Sequence, residues 1–405
     1  MQTRISKKFI HTPAGQTADR ILRNCVHCGF CTATCPTYQI LGDELDSPRG
    51  RIYLIKQLLE GTPATRKTRT HLDRCLTCRS CETTCPSGVE YAHLLDIGRE
   101  IVTRQTTRPL HESLLRKLLL WALPNPTRFQ TLIKLVGLFR FMLPGSIKSS
   151  IPETQTQASW PNTKHKRKIL LLEGCVQPTL SPEINTATAR LLDRIGIETV
   201  RVQQSCCGAL AHHLTATRQS LATIKNNIDM WWPLIEQGVE AVASNASGCG
   251  VMVKDYGHLL ADDTAYADKA RTISSLCKDI SEIILPENIT SASIKTKVAF
   301  HAPCTLQHGQ QLNGVVEQIL QKAGFELVPF NDQHLCCGSA GTYSITQKRL
   351  SQQLLSNKLT KLLQNKPEMI TTANIGCLLH LRSQSPVPVM HWVELLDSQL
   401  PVSKQ

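Results

Sequence analysis

Sixteen of the seventeen cysteines in this 405-residue chain fall into two patterns, and each pattern is written twice. The first is the run C-x2-C-x2-C-x3-C-P. It covers Cys25, Cys28, Cys31 and Cys35 before Pro36, then Cys75, Cys78, Cys81 and Cys85 before Pro86. The second is wider: a lone cysteine, a Cys-Cys-Gly and another lone cysteine. It is made of Cys175, Cys206, Cys207 and Cys249, and again of Cys304, Cys336, Cys337 and Cys377. The chain is too long, and the spacing wrong, for a small disulfide-stapled scaffold. Cysteines clustered in a long chain read as metal ligands in a reducing compartment.

The two tight runs resemble those of bacterial two-cluster ferredoxins. Four thiolates at this spacing wrap three corners of one iron–sulfur cubane and reach a second. In such pairs the fourth cysteine of each run ligates the other cluster. This implies one [4Fe–4S] cluster on Cys25, Cys28, Cys31 and Cys85, and another on Cys75, Cys78, Cys81 and Cys35. The proline turns the backbone away after the last ligand and removes a donor. A pair of zinc sites is the alternative, but zinc usually takes its ligands from two separated C-x2-C pairs and needs no crossed pattern. Arg49 and Arg51 would raise a nearby reduction potential, or else serve as solvated or ion-paired groups.

Composition narrows the partners. The net charge is 45 − 32 = +13, which suits anionic lipid, an acidic partner or nucleic acid. Nucleic acid is the weakest of these: aromatics are 5%, and no helix-turn-helix, finger or RNA-binding signature is visible. The first residues, MQTRISKKFIHTPAG, have no apolar h-region, so no signal peptide is expected. No stretch of about 18 or more uncharged apolar residues would span a membrane. The expected location is the cytoplasm.

Four zones are expected. Residues 1–110 hold both tight runs. The 39 residues between Cys35 and Cys75 are too many for a minimal ferredoxin and imply a mainly helical domain. Within them Ser47 and Pro48 suit the cap and first turn of a helix over IYLIKQLLE. Residues 111–165 form a basic zone. From Ser113 to Pro152 there is no Asp or Glu, while Arg116, Lys117, Arg128, Lys134, Arg140 and Lys148 alternate with leucines and aromatics. Two short amphipathic helices broken at Pro124 and Pro126 would dock on anionic lipid or a partner, or pack on the cluster domain with a solvated basic face. The stretch 152–163 and the run Lys164-His165-Lys166-Arg167-Lys168 read as a linker.

Residues 166–290 and 291–405 are a duplication. Equivalent cysteines are offset by 128–130 residues, with gaps of 30 and 41 residues in the first copy and 31 and 39 in the second. The strand-like runs ILLLEG, VEAVAS, KVAFHAP and EMITTANIG alternate with helical patterns such as NTATARLLDRIG. This predicts α/β halves with parallel sheets, the cysteines converging at the C-terminal edge of each. Adjacent cysteines diverge unless the following glycine permits an unusual turn. Each set of four suits a further iron–sulfur cluster, a zinc ion or buried thiols without metal. Cys277 lies outside both patterns and reads as a core cysteine. His212, His213, His301, His308 and His334 stand near these cysteines as ligands, proton relays or ordinary packed rings.

The whole resembles the iron–sulfur subunits of membrane-associated oxidoreductases: those of glycolate oxidase, anaerobic glycerol-3-phosphate dehydrogenase and lactate oxidation, and the catalytic subunit of heterodisulfide reductase. The strings CVHCGFCTATCPTYQ, SPRGRIYLIKQ, HLDRCLTC, LEGCVQPTLSP and HLCCGSAGTY are most similar to the glycolate oxidase branch. The resemblance implies that an FAD-containing partner oxidises glycolate to glyoxylate. This chain would pass the electrons toward a quinone or the respiratory chain, at the cytoplasmic face of the bacterial inner membrane. The absence of any G-x-G-x-x-G after a strand agrees that this chain alone does not oxidise substrate. Heterodisulfide-reductase-like halves end in a C-x2-C pair, but Ala246 and Asn374 occupy its first position here. Disulfide reduction, or stand-alone quinone reduction, is therefore the weaker alternative, alongside a sister complex acting on lactate or glycerol phosphate.

Overall fold

The computed structural model describes residues 1–138, 159–202, 206–285, 287 and 296–399. Its N-terminal part is a bundle of short helices, because the cysteine loops leave only brief segments between them. Helices Pro13–Asn24, Pro48–Leu59, Arg66–Asp73 and Tyr91–Gln105 do the packing. Ile21, Leu22, Ile55, Leu59, Leu94 and Leu95 meet in their core with no exposed surface. The cap expected at Ser47 forms: its Oγ accepts from the Gly50 N–H at 2.9 Å, with Pro48 in the first turn.

The basic zone begins as two helices, Leu110–Ala122 and Pro126–Leu138; Arg140 and Lys148 lie outside the described residues. Its cations do not all face solvent. Arg116 turns inward and lies 3.7 Å from Asp73, and burial pushes its pKa down. Lys117, Arg128 and Lys134 stay exposed. Leu110, Leu114, Leu118 and Trp121, spaced to share one helical face, are 88%, 70%, 54% and 49% exposed. The linker run is shorter than expected, because Arg167 and Lys168 already belong to the first strand.

The C-terminal part is two four-stranded parallel sheets. The first has β1 (Arg167–Leu171), β2 (Ile197–Val200), β3 (Ala241–Ser244) and β4 (Cys277–Asp279), in the order β2-β1-β3-β4. The second has β5 (Lys297–His301), β6 (Glu326–Leu327), β7 (Met369–Thr372) and β8 (Val389–His391), in the order β6-β5-β7-β8. Ile169 pairs with both Thr199 and Ala241, and Val298 with Leu327 and Met369, so the central register repeats. Strands covered on both faces read as continuous apolar runs, as β1 and β3 do. Strand order reverses beside β1 and beside β5, the place where such sheets open a crevice at their C-terminal edge.

The halves share one core, with Ile169, Leu171, Val298, Phe300 and Trp392 in a single cluster. Arg190 on helix Glu183–Arg194 binds Asp397 of helix Trp392–Gln399 at 2.5 Å. The ferredoxin part docks on both halves. Tyr343 Oη donates to the Arg74 carbonyl at 3.0 Å, Arg79 pairs with Asp255, and the His93 and His258 rings stack at 3.7 Å.

His212 meets Asp96 across this interface at 2.8 Å. Burial opposes charge on His212, but Asp96 raises its pKa above the ordinary 6.5. The ion pair's contribution is therefore complete below that value and is lost as pH rises through the folded pKa. Thermal unfolding followed from pH 6.5 to about 8.5 is expected to lose roughly 1–2 kcal/mol of stability from this contact. His212→Gln should remove that part of the pH dependence.

Candidate iron–sulfur and metal centres

The two ligand loops are built alike. His27 and Gly29 in the first, and Thr77 and Arg79 in the second, all have φ between 55° and 87°. These left-handed residues curl each loop so that backbone N–H groups turn inward, a concavity suited to anionic sulfur. The Thr77 N–H points at Cys75 Sγ from 3.4 Å.

The first set lies near the surface. Cys25, Cys28, Cys31, Cys81 and Cys85 line one cavity. Cys28 is exposed, and Val26 and Phe30 beside it are 66% and 60% exposed. Burial pushes the Cys31 thiol up to about 11. The amino group of Met1 donates to the Cys25 carbonyl at 2.9 Å.

The second set is deeper. Burial, with neighbouring sulfurs that include Cys75 and Cys35, pushes Cys78 and Cys81 well above the usual thiol range. Cys85 and Cys81 both line the cavity of the first run, and Cys35 acts on sulfurs of both runs. Each place gathers several sulfur ligands close together. A cationic iron core would discharge them, so both sets fit a cluster.

The second set also has a shell of buried donors. Tyr91 Oη lies 3.7 Å from Cys75 Sγ, and Cys35 Sγ 3.3 Å from Thr37 Oγ1. Arg51, 1% exposed, donates to Thr37 Oγ1, Asp46 and the His71 carbonyl. Burial opposes its charge, but Cys75, Tyr91, Cys35 and Asp46 hold the guanidinium charged. Asp46 also binds Arg74 at 2.7 Å, which leaves two arginines on one carboxylate. Arg99 donates to the Leu72 and Cys75 carbonyls and to Thr77. Nearby positive charge favours the more negative, reduced state of a cluster. Arg51→Met is expected to lower the midpoint potential of the Cys35/Cys75/Cys78/Cys81 cluster by about 60 mV, a tenfold change in a one-electron equilibrium. Potentiometric titration should show the other cluster unmoved.

In each C-terminal half the four cysteines converge at the sheet's C-terminal edge. Cys175, Cys206, Cys207 and Cys249 form a chain in which each sulfur reaches the next. In the second half Cys304 Sγ and Cys336 Sγ are 3.8 Å apart, and the chain continues through Cys337 to Cys377. The glycine makes both turns possible. Gly208 and Gly338 have φ of 92° and 89°, and each N–H points at the sulfur two residues back, Cys206 or Cys336, from 3.4 Å. Asn374, where a cysteine would complete a C-x2-C pair, accepts from the Gly248 N–H at 3.2 Å and donates to Cys377 Sγ at 3.7 Å. Ala246 is buried at the matching place. Cys277 is a core residue whose thiol faces the Gly250 carbonyl.

The two kinds of site touch. Cys78 packs with Cys304 and Cys336 in one cluster that includes Leu76, Tyr343 and Leu354. Of the nearby histidines, His308 lies 2.9 Å from Thr83 Oγ1 and donates to the His334 carbonyl. His213 is exposed and stands edge-on to His212, with 5.7 Å between the ring centres. His301 stands with Cys337 and Cys377. Sequence reasoning missed Tyr91, Arg99 and Lys358. Lys358 is 3% exposed and donates to the Asp332 and Gln333 carbonyls. Burial pushes its amine down to about 8, against the opposing pull of Cys337 and Cys336.

Comparison with known proteins agrees with this division. Residues 21–89 match the family described as a 4Fe-4S dicluster domain, and residues 169–254 and 298–382 each match a cysteine-rich domain family. The chain is 53% identical to the glycolate oxidase iron-sulfur subunit of Escherichia coli, over 99% of both chains. It is 31% identical to a probable glycolate oxidase iron-sulfur subunit of Bacillus subtilis, over 89% of this chain and 88% of that one. Lactate utilization protein A of Bacillus subtilis is more distant, 27% identical over 57% of this chain and all of its own length. A hypothetical protein from Helicobacter pylori shares the fold at a TM-score of 0.54 and 10% identity, covering 98% of this chain and 74% of that one. Near-complete coverage at such identity settles the kinship: the chain belongs to the family of glycolate oxidase iron–sulfur subunits.

Proposed function

We propose that this chain is the electron-transfer subunit of a flavoprotein glycolate dehydrogenase, receiving electrons from a partner's flavin and passing them toward the respiratory chain. The observation that carries the reading is the gathering of the eight ferredoxin-type cysteines, part of them around a cavity near the surface and part buried against the second repeat. The ligand assignment follows: Cys25, Cys28, Cys31 and Cys85 for one [4Fe–4S] cluster, and Cys75, Cys78, Cys81 and Cys35 for the other. When bound, these clusters would supply one-electron transfer between the flavin and the acceptor. The chain's own residues set the terms. Exposed Cys28, Val26 and Phe30 offer the partner a close approach, and Arg51, Tyr91 and Arg99 favour electron density on the buried side. We divide the chain functionally at 1–110, 111–165, 166–290 and 291–405. Anaerobic affinity purification from the native host tests the role. Co-purifying flavoprotein with glycolate-dependent dye reduction supports it, and a flavin-free protein without that activity contradicts it.

Peripheral membrane attachment belongs to the same proposal. Among the described residues no helix is long and apolar enough to cross a membrane. The exposed stripe of Leu110, Leu114, Leu118 and Trp121, flanked by Lys117 and Arg128, suits the interface of an anionic bilayer. Arg128 stacks over Trp121, 5.4 Å from its ring centre. Leu114→Glu with Leu118→Glu is expected to weaken sedimentation with phosphatidylglycerol vesicles about tenfold. Unchanged retention would assign attachment to a partner.

A further inference from the structure

The described residues expose large apolar side chains in two places only. One is the pair of basic helices. The other is made of Val26, Phe30, Leu41, Leu45, Tyr53 and Ile345, and the first repeat adds nothing to either. The second group lies together. Val26 and Phe30 line the cavity that holds Cys28, with Arg49 and Ile52. Tyr53 follows Ile52 on the same helix, one turn on from Arg49. Helix Phe30–Ala33 packs against both Pro48–Leu59 and Pro36–Leu41, and the turn Glu44–Asp46, which carries Leu45, also packs against both. Helix Pro36–Leu41 in turn touches helix Lys348–Leu362 of the second repeat. Ile40 packs against the cluster that holds Tyr343, two residues before Ile345. The patch thus runs on across the seam that Tyr343 closes with the Arg74 carbonyl.

We propose that this patch seats the flavin-bearing subunit in a permanent, mainly apolar contact that bridges the ferredoxin part and the second repeat and covers the mouth of the Cys28 cavity. The proposal rests on the reading of this chain as an electron-transfer subunit. Charge argues for permanence. The cations that border the mouth are already matched: Arg49 binds Glu44 at 2.7 Å, Arg23 binds Asp19 at 2.8 Å, and Arg20 binds Glu90, next to Val89 of the cavity wall, at 2.6 Å. A chain of net charge +13 thus borders its exposed cysteine with neutral pairs. An exchanging redox partner meets a small face and is steered onto it by unpaired charge, whereas permanent subunits bury larger and more apolar faces. A large exposed apolar patch with a balanced polar rim is the second kind. A bilayer suits it less, because binding to anionic lipid takes free cations beside the apolar residues, as Lys117 and Arg128 supply on the basic helices.

The test is anaerobic affinity purification of the full-length chain from its host, with flavin and iron measured per chain. The wild-type chain is expected to keep its flavoprotein in about 1 M salt, where charges are screened beyond roughly 3 Å. Tyr53→Glu with Ile345→Glu should lower flavin per chain about tenfold with iron unchanged. Tyr53→p-benzoylphenylalanine keeps the surface apolar and should cross-link to the flavoprotein on irradiation, which decides the matter where the double variant does not fold. Flavoprotein retained by the double variant, released from the wild-type chain by salt alone, or not cross-linked from position 53 would overturn the proposal and leave the electron-transfer reading standing. A wild-type chain that brings down no flavoprotein would overturn both.

Discussion

Cys78→Ser is expected to abolish quinone-linked glycolate oxidation, by at least about 100-fold, while the partner's flavin is still reduced by glycolate. Cys78 is 9% exposed and packs against Cys304 and Cys336, so serine there removes a proposed ligand where the ferredoxin part meets the second repeat. Cys28→Ser, at the surface set, should give the same split by starving the chain of electrons rather than by blocking their exit. The measurement is stopped-flow flavin reduction beside steady-state quinone reduction in the purified complex. Normal quinone turnover in both variants would sink the electron-transfer role.

The second large effect is structural. In Gly338→Ala, an added Cβ would lie 2.7 Å from the Ser351 carbonyl oxygen and 2.8 Å from Leu354 Cβ, at a φ of 89° that side chains rarely adopt. Strain and overpacking together should destabilise the chain by about 3 kcal/mol. Gly208 occupies the same turn in the first repeat, but its nearest neighbours, Ile224 Cγ1 and Ser220 Oγ, lie at 3.3 and 3.4 Å. Gly208→Ala should therefore cost about 1–2 kcal/mol, mostly from the φ. Equal losses in thermal unfolding of the two variants would show that the turn, and not its packing, sets the cost.

The cysteine runs are legible in sequence because their ligands are local: eleven residues carry one full loop, and the spacing itself encodes the wrap. The parallel sheets are legible for a similar reason, since β1, β3, β5 and β7 are short, largely apolar runs before Cys175, Cys249, Cys304 and Cys377. What surrounds the sulfurs is not local. Tyr91 reaches Cys75 because helix Tyr91–Gln105 packs beside helix Arg66–Asp73, which leads into Cys75. Arg51 is visible as a cation, but its role depends on Asp46 and Arg74, which tertiary packing brings together. Arg116 reads as part of a basic face, yet an ion pair to Asp73 turns it inward. Periodicity alone cannot tell a solvated cation from a buried one.

The most direct test of the account is electron paramagnetic resonance of the purified complex, frozen after anaerobic addition of glycolate alone. Reduced [4Fe–4S] signals that appear with glycolate, and that are lost in Cys28→Ser and Cys78→Ser, are the predicted result. A complex in which glycolate reduces the flavin while no cluster signal develops would contradict it.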